Sequence, residues 1–340
     1  MEEDLIRRKA ELVLGGDVLL PEGFRMPCRL SRSTAGPGAG SGSAVFSFGG
    51  YRVKKSVSRT AGEFELRVGK DGMSLTRGGE PFLEGVSILP VAFHCPEQAF
   101  FNLDQRCIFN CAFCASPRLE RDITKGLTDE RIVSMIRSHD PEIGAIALTS
   151  GVVGSVEATV TRMESCVRAL KAGFPGATIG VEPYVENAGQ VRRLREAGAD
   201  EIKINVETAT EGIFRRVCPE LDRDALLSCL REAVPIFGRG RVASNLIFGL
   251  GETDPEVEET LEMLASMGVV AGLRPVKHSA LNRESMEAAL GSLEKVSPAR
   301  MIRLAGMHRR ILESHGLDTR TFRTMCFECT CCDLVPFRDL

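Results

Sequence analysis

The 340-residue sequence has no tryptophan and only two tyrosines, and aromatic residues make up 6% of it. A core must therefore be built from Leu, Val, Ile, Ala and Phe. Nowhere does an uninterrupted apolar run approach the roughly eighteen residues that a membrane-crossing helix needs, so no membrane partner is expected. A dominant charge is missing as well, because 43 basic side chains against 46 acidic ones leave −3. That balance excludes a general nucleic-acid or membrane-surface binder. The start Met1-Glu2-Glu3-Asp4 is acidic where an export signal would be basic, so a cytoplasmic protein is expected. Wholesale disorder is excluded too, since 43% hydrophobic with 26% charged residues is an ordinary globular balance.

Cysteine is abundant and unevenly placed. Of twelve, three are Cys107, Cys111 and Cys114, and four are Cys326, Cys329, Cys331 and Cys332. The other five, Cys28, Cys95, Cys166, Cys218 and Cys229, are scattered. Disulfide frameworks belong to short exported chains, whereas bunched thiols in a long chain without a leader bind metal.

Three segments are expected. Residues 1–95 carry a helix over 2–14, a Gly/Ser-rich loop over 31–43, and short β-rich runs at 44–48, 51–57, 63–68 and 73–76. Gly49-Gly50 and Asp71-Gly72 between the runs are hairpin signals, which predict a small β-rich appendage. From residue 96 to 315, apolar runs of strand length alternate with amphipathic helical stretches. Strands are predicted at 99–103, 145–149, 178–185, 201–205, 242–249 and 269–276, which makes an α/β chain with six parallel βα units. Six units build a partial (β/α)6 barrel. Residues 316–340 form a Cys-rich tail.

The first thiol group reads Cys107-Ile108-Phe109-Asn110-Cys111-Ala112-Phe113-Cys114, directly after the first barrel strand. Three thiolates this close hold three irons of a cubane cluster and leave the fourth iron open to a ligand. Catalytic groups of parallel barrels also gather where strands end, which is where this loop falls. A structural zinc site normally needs four ligands in two C-x2-C pairs, so it fits this spacing poorly. The second group, Cys326-Phe327-Glu328-Cys329-Thr330-Cys331-Cys332, has no core-packing explanation. Its readings are a second iron–sulfur cluster, a zinc site or a redox-active disulfide. His94, His139, His278, His308 and His315 show no metal-type spacing and are expected mainly at the surface or at helix ends. The glycines at 36–42 follow no strand, which excludes a dinucleotide-binding loop.

The C-x3-C-x2-C loop, with Phe113 before its last cysteine, resembles the signature of the radical S-adenosylmethionine (SAM) superfamily. The resemblance implies a six-fold βα barrel, a [4Fe-4S] cluster on Cys107, Cys111 and Cys114, and SAM as the ligand of the open iron. Thr149-Ser150-Gly151 stands where the family often carries Gly-Gly-Glu, so Ser150 and Gly151 offer backbone there. Asn205-Val206-Glu207-Thr208 and Asn245–Thr253 are similar to the lipoyl synthase and biotin synthase branch. By that likeness Asn205 and Glu207 bind cofactor polar groups, Ile247 packs on adenine, Gly249 approaches the cofactor through its backbone, and Glu182 is a ribose candidate. A plainer reading makes Glu207 and Glu252 helix-terminal carboxylates. The tail and the region of Cys28, Arg29, Ser31, Arg32 and Ser33 are similar to the two-component lipoyl synthases. That likeness implies an auxiliary cluster on the tail, sulfur insertion into an octanoyl chain on a lipoyl domain or H protein, and a sister radical SAM subunit. It also implies an electron donor such as ferredoxin or flavodoxin. Other biotin-synthase-like activities, such as a methyltransferase or a metallocofactor maturase, and a non-catalytic cluster scaffold remain alternatives.

Overall fold

Short runs of apolar residues separated by tight turns bury one face of a twisted sheet. In the computed structural model, which describes all residues except 1, 29, 33–41, 92, 95, 97, 121–123, 125 and 141, these runs close on themselves. The strands are β1 (Val18–Leu19), β2 (Ser31–Arg32), β3 (Gly42–Phe48), β4 (Tyr51–Ser58), β5 (Phe64–Gly69), β6 (Gly72–Arg77) and β7 (Glu80–Leu89). They pair in the order β2-β3-β4-β1-β5-β6-β7, and β7 returns to β3. The expected small β-rich appendage is thus closed into a barrel by the pairing of β3 with β7, which leaves fewer free edges to invite other strands.

Three of its strands escape the sequence pattern, and the first residues of the expected Gly/Ser loop, Ser31 and Arg32, are β2, paired with β3. β1 is two residues long and exists through parallel pairing with both β4 and β5. β7 holds a bulge between Leu83 and Val86 in which Gly85 takes φ 64°, so its alternation is broken. Arg29, Ser33 and Cys95 lie outside the described residues.

The second unit follows the expected alternation. Strands β8 (Ala99–Asn102), β9 (Ala145–Thr149), β10 (Thr178–Glu182), β11 (Glu201–Lys203), β13 (Val242–Phe248) and β14 (Val269–Pro275) form one parallel sheet in that order. The short β12 (Glu207–Thr208) pairs with the end of β13. Helices α2 (Asp129–His139), α3 (Val156–Gly173), α4 (Ala188–Ala197), α5 (Glu211–Val217), α6 (Arg223–Phe237) and α7 (Asp254–Met267) lie between the strands. Their starts are written in the sequence: Thr128, Ser155, Asn187, Thr210, Asp222 and Thr253 each accept a backbone N–H of the first turn. Helix α8 (Arg283–Leu290) was not legible, because the Asn282 side chain before it makes no capping bond. No helix among the described residues is long and apolar enough to cross a membrane.

Helix α1 (Glu2–Leu14) and the last helix, α9 (Pro298–Ser314), clamp the ends of the chain. The Lys9 ammonium on α1 is buried and reaches Asp339 Oδ1 at 2.6 Å and the Thr330 carbonyl at 2.7 Å. Beyond α9 the tail has almost no regular structure, yet it is well buried. Arg323 N and Thr324 N donate to Glu201 at 3.0 and 2.9 Å, at the start of β11. A Cβ on Gly180 would lie 2.0 Å from Thr324 and 2.2 Å from Met325. Gly180 shares its strand face with Glu182, which opens into the central cavity, so the tail runs up the inside of the sheet. Further on, Cys329 and Cys331 pack on Phe100 of β8, while Asp333 meets Arg274 of β14 at 3.2 Å. The tail thus spans the opening between the first and last strands of the sheet.

Candidate active site

The triplet loop is held by backbone contacts from several directions. Gly151 N donates to the Asp104 carbonyl at 2.6 Å, and Ile108 N to Val152 O at 2.7 Å. A Cβ on Gly151 would lie 2.3 Å from the Arg106 carbonyl, so only glycine lets the loop seat on the end of β9. From α5 and the turn beyond it, Val217 O accepts Ala112 N at 2.7 Å and Glu220 accepts Asn110 N at 2.7 Å. Asn282 Nδ2 donates to Phe113 O at 2.8 Å, and Ser285 Oγ to Ala112 O at 2.7 Å. Four elements fix one loop.

Cys107, Cys111 and Cys114 open into a cavity of about 1440 Å³. Burial pushes the Cys107 and Cys114 thiols up, so a bound metal charge is what would hold them as thiolates. Behind Cys111 stands Cys218, fully buried at the end of α5 and hydrogen-bonded to the Cys111 thiol, which pushes its own proton affinity up. The sequence offered only a lone Cys-Pro pair there. Cys166 and Cys229 lie in helix cores, pushed up by burial to about 12 and about 11, and take no part in the cavity.

The same cavity collects most of the other expected residues: Phe113, Ser150, Gly151, Glu182, Asn205, Glu207 and Ile247. Gly249 is not among them. It has φ 94°, and the space its missing side chain leaves is taken by Val296 and Val276, which a Cβ would meet at 2.4 and 2.9 Å. Glu252 braces this turn, accepting Gly249 N at 2.7 Å and Leu250 N at 2.9 Å and pairing with Arg300 at 2.9 Å. Glu182 is already engaged by Lys203 at 3.0 Å, Asn205 Nδ2 at 2.9 Å and Asn245 Nδ2 at 3.3 Å.

Glu207 stands apart. Its backbone is left-handed, φ 62°, although it is not glycine. Burial, reinforced by the charge of Glu182, pushes its carboxyl up to about 8. It is no helix cap, because Thr210 caps α5. An acid kept neutral in this way is ready to ionise against a cationic ligand.

Cys326 and Cys332 of the tail line this cavity as well, with Cys329 and Cys331 buried behind them. The four thiols act on one another: Cys329 hydrogen-bonds Cys331, and Cys326 feels Cys329 and Cys332. Met325, Cys326 and Thr330 have φ of 63°, 72° and 54°, a conformation that costs side-chain-bearing residues about 1–3 kcal/mol each. Cys28 Sγ sits 3.7 Å from Leu89 O, beside Leu89, which packs on Cys329 and Cys331.

Two histidines depart from the surface expectation. His308 is buried in α9 and His94 stacks on Phe100, with centroids 4.8 Å apart; burial pushes both down to about 3. His278 lines the cavity. His315 keeps its helix-end place, paired with Glu262 at 2.7 Å. Residues missed altogether are Lys54, Lys55 and Arg274, which line the cavity from β4 and β14. Burial and the facing Lys277 push Lys55 down to about 7.

Among the described residues, no three of His, Cys, Asp and Glu are placed to hold a single metal ion. A cubane spreads its thiolates over several irons, so a three-thiol loop open on its fourth side suits such a cluster by its donor set.

Residues 102–264 match the model of the radical SAM superfamily. The lipoyl synthase of Nitratidesulfovibrio vulgaris (strain DP4) is 29% identical over 177 residues, which cover 50% of this chain and 56% of that one. The biotin synthase of Staphylococcus aureus (strain JH9) is 21% identical over 217 residues, 60% of each chain. The chain therefore matches little more than half the length of these curated relatives. In fold it is similar to the FeFe-hydrogenase maturase HydG of Carboxydothermus hydrogenoformans, at TM-score 0.53 and 19% identity over 65% of this chain and 52% of that one. That family implies a [4Fe-4S] cluster and SAM. With the parallel six-strand sheet and the three-cysteine loop at its mouth, residues 102–264 match a radical SAM domain, and the chain is similar to the lipoyl synthase and biotin synthase branch.

Proposed function

We propose that this protein is a radical SAM sulfur-inserting enzyme of the lipoyl synthase type, acting on a protein-bound octanoyl chain together with a sister subunit. One observation carries the reading: thiols of both cysteine groups open into one cavity. A carbon radical reacts with what is held within bonding reach, and thiols of the tail line the same cavity as the triplet.

Cys107, Cys111 and Cys114 would hold the [4Fe-4S] cluster, which with SAM bound supplies a 5′-deoxyadenosyl radical. Phe113, Ser150, Gly151, Asn205, Glu207 and Ile247 line the space beside it and would seat SAM. Glu207 gives up its proton to face the cofactor's cationic end. Glu182, tied by Lys203, Asn205 and Asn245, orients these amides rather than reaching out itself. Gly249 leaves the room that lets Val276 and Val296 line the cavity. Cys326, Cys329, Cys331 and Cys332 would hold the auxiliary iron–sulfur cluster as the sulfur source. A ferredoxin or flavodoxin would supply electrons.

The test is an anaerobic assay with the sister protein and an octanoylated lipoyl-domain or H-protein peptide, read by mass spectrometry after reconstitution with isotopically heavy sulfide. Heavy sulfur in the first-turnover product supports the reading. Product that lacks it rejects the tail as the donor. Replacing Cys329 and Cys332 by Ala should abolish thiolated product and leave 5′-deoxyadenosine formation near normal.

A further inference from the structure

The chain folds back against the triplet immediately after it. Ser116–Arg118 make one 3-10 turn, with Pro117 near its start, and Arg118 N donates to the Ala115 carbonyl at 3.0 Å. Arg118, four residues beyond Cys114, is thereby returned to the loop. One guanidinium nitrogen, Nη1, donates to the Cys111 carbonyl at 3.2 Å and also to the Cys114 carbonyl. Cys114 N shares the Cys111 carbonyl at 3.1 Å. Arg118 is half-buried and makes no ion pair among the described residues.

The loop meets polar groups of both signs. Cys107 Sγ accepts Val152 N at 3.4 Å, Ser116 reaches the Cys114 thiol, and Cys218 the Cys111 thiol. Glu220, which holds Asn110 N, acts on Cys107, and Glu207 acts on Cys218. Both carboxylates oppose added negative charge on the loop. Arg118 favours it, and is bonded to the backbone of two of the three cysteines. A guanidinium keeps its charge at any working pH and its donors in a fixed plane. Groups behind metal ligands both orient those ligands and tune the metal.

We propose that Arg118 is a positioning residue of the triplet: it ties the Cys111 and Cys114 backbone together for a cubane and raises the reduction potential of the cluster held there. This rests on the [4Fe-4S] reading of Cys107, Cys111 and Cys114. Reduction of that cluster takes one electron from a ferredoxin- or flavodoxin-type donor and no proton. The reduced form is the more negative one, so a fixed cation beside it favours reduction and its removal makes reduction harder. A merely structural arginine would change iron content and leave the potential where it was.

The experiment uses the full chain, reconstituted anaerobically with ferrous iron and sulfide and titrated by electron paramagnetic resonance at set potentials. The triplet signal is the part of the spectrum that the Cys111→Ala variant lacks. Arg118→Gln at full iron content should disfavour reduction of that signal at least tenfold, a fall of about 59 mV for one electron. Arg118→Lys, which keeps the charge, should recover most of that fall. Iron lost from Arg118→Gln but kept in Arg118→Lys also supports the role. An unmoved potential in Arg118→Gln at full iron content overturns the proposal and leaves the cluster reading intact. Equal falls in the two variants, or iron lost from both alike, overturn it too, because charge would not be what matters. A parent chain whose triplet takes no iron overturns the cluster reading, and the proposal with it.

Discussion

The two cysteine groups share a cavity and almost nothing else. Cys107, Cys111 and Cys114 sit on a loop pinned by backbone hydrogen bonds at the end of a strand, facing Glu182 and Glu207. Cys326, Cys329, Cys331 and Cys332 sit on irregular, partly left-handed backbone, with Arg274 hydrogen-bonded to Cys326 and Lys203 facing it. Acidic side chains share the cavity wall of the first group and basic ones lie against the second, so identical thiols meet different charges, which no count of cysteines reveals.

The largest effect expected on this contrast is at the triplet. Cys111→Ala should reduce 5′-deoxyadenosine formation to background, since three ligands have no spare, while iron held by the tail remains; iron analysis with a cofactor-cleavage assay reads both. Next is the anchor of the tail. Asp339→Ala leaves the Lys9 ammonium buried without its carboxylate, which should cost about 3–5 kcal/mol, seen in urea unfolding and as early proteolysis of the tail. Equal stability of variant and parent would show that the tail holds itself in place.

A smaller effect is expected at the acidic wall. Glu207→Ala should weaken SAM binding by about 1.5–3 kcal/mol, roughly tenfold to a hundredfold, without loss of iron. A further test is a pH slope from the same residue. Its folded pKa of about 8 lies above the ordinary 4.5, so between these values the folded state binds more protons than the unfolded one. Stability from this group therefore falls as pH rises through that window, and Glu207→Gln should flatten the slope. His308, pushed down to about 3, tilts the curve the other way below its ordinary 6.5 and is common to both proteins, so the difference between them isolates Glu207.

The parallel unit was legible because its signals are local. Apolar runs, caps such as Thr253 with Glu256, and the 107–114 spacing each occupy a few consecutive residues. The small barrel was half legible: its hairpins show, but β1 exists only through pairing with two distant strands, and Gly85 disguises β7. That His94 and His308 are the buried ones among histidines expected mainly at the surface was not legible, because a lone histidine carries no pattern that tells core from surface. Gly249 was expected to face the cofactor, yet Val276 and Val296 fill its space, and those valines lie far along the chain.

The sequence by itself therefore determined the six βα units, the place of the three-thiol loop at a strand end, and the family, because strand, turn and chelate spacing depend on near neighbours. Tertiary structure alone decided that the tail climbs inside the sheet through the gap at Gly180, that its thiols meet the cavity of the first group, and that the β4 backbone bonds the tail at Cys331. Burial and charge are sums over residues that the chain brings together only when it folds.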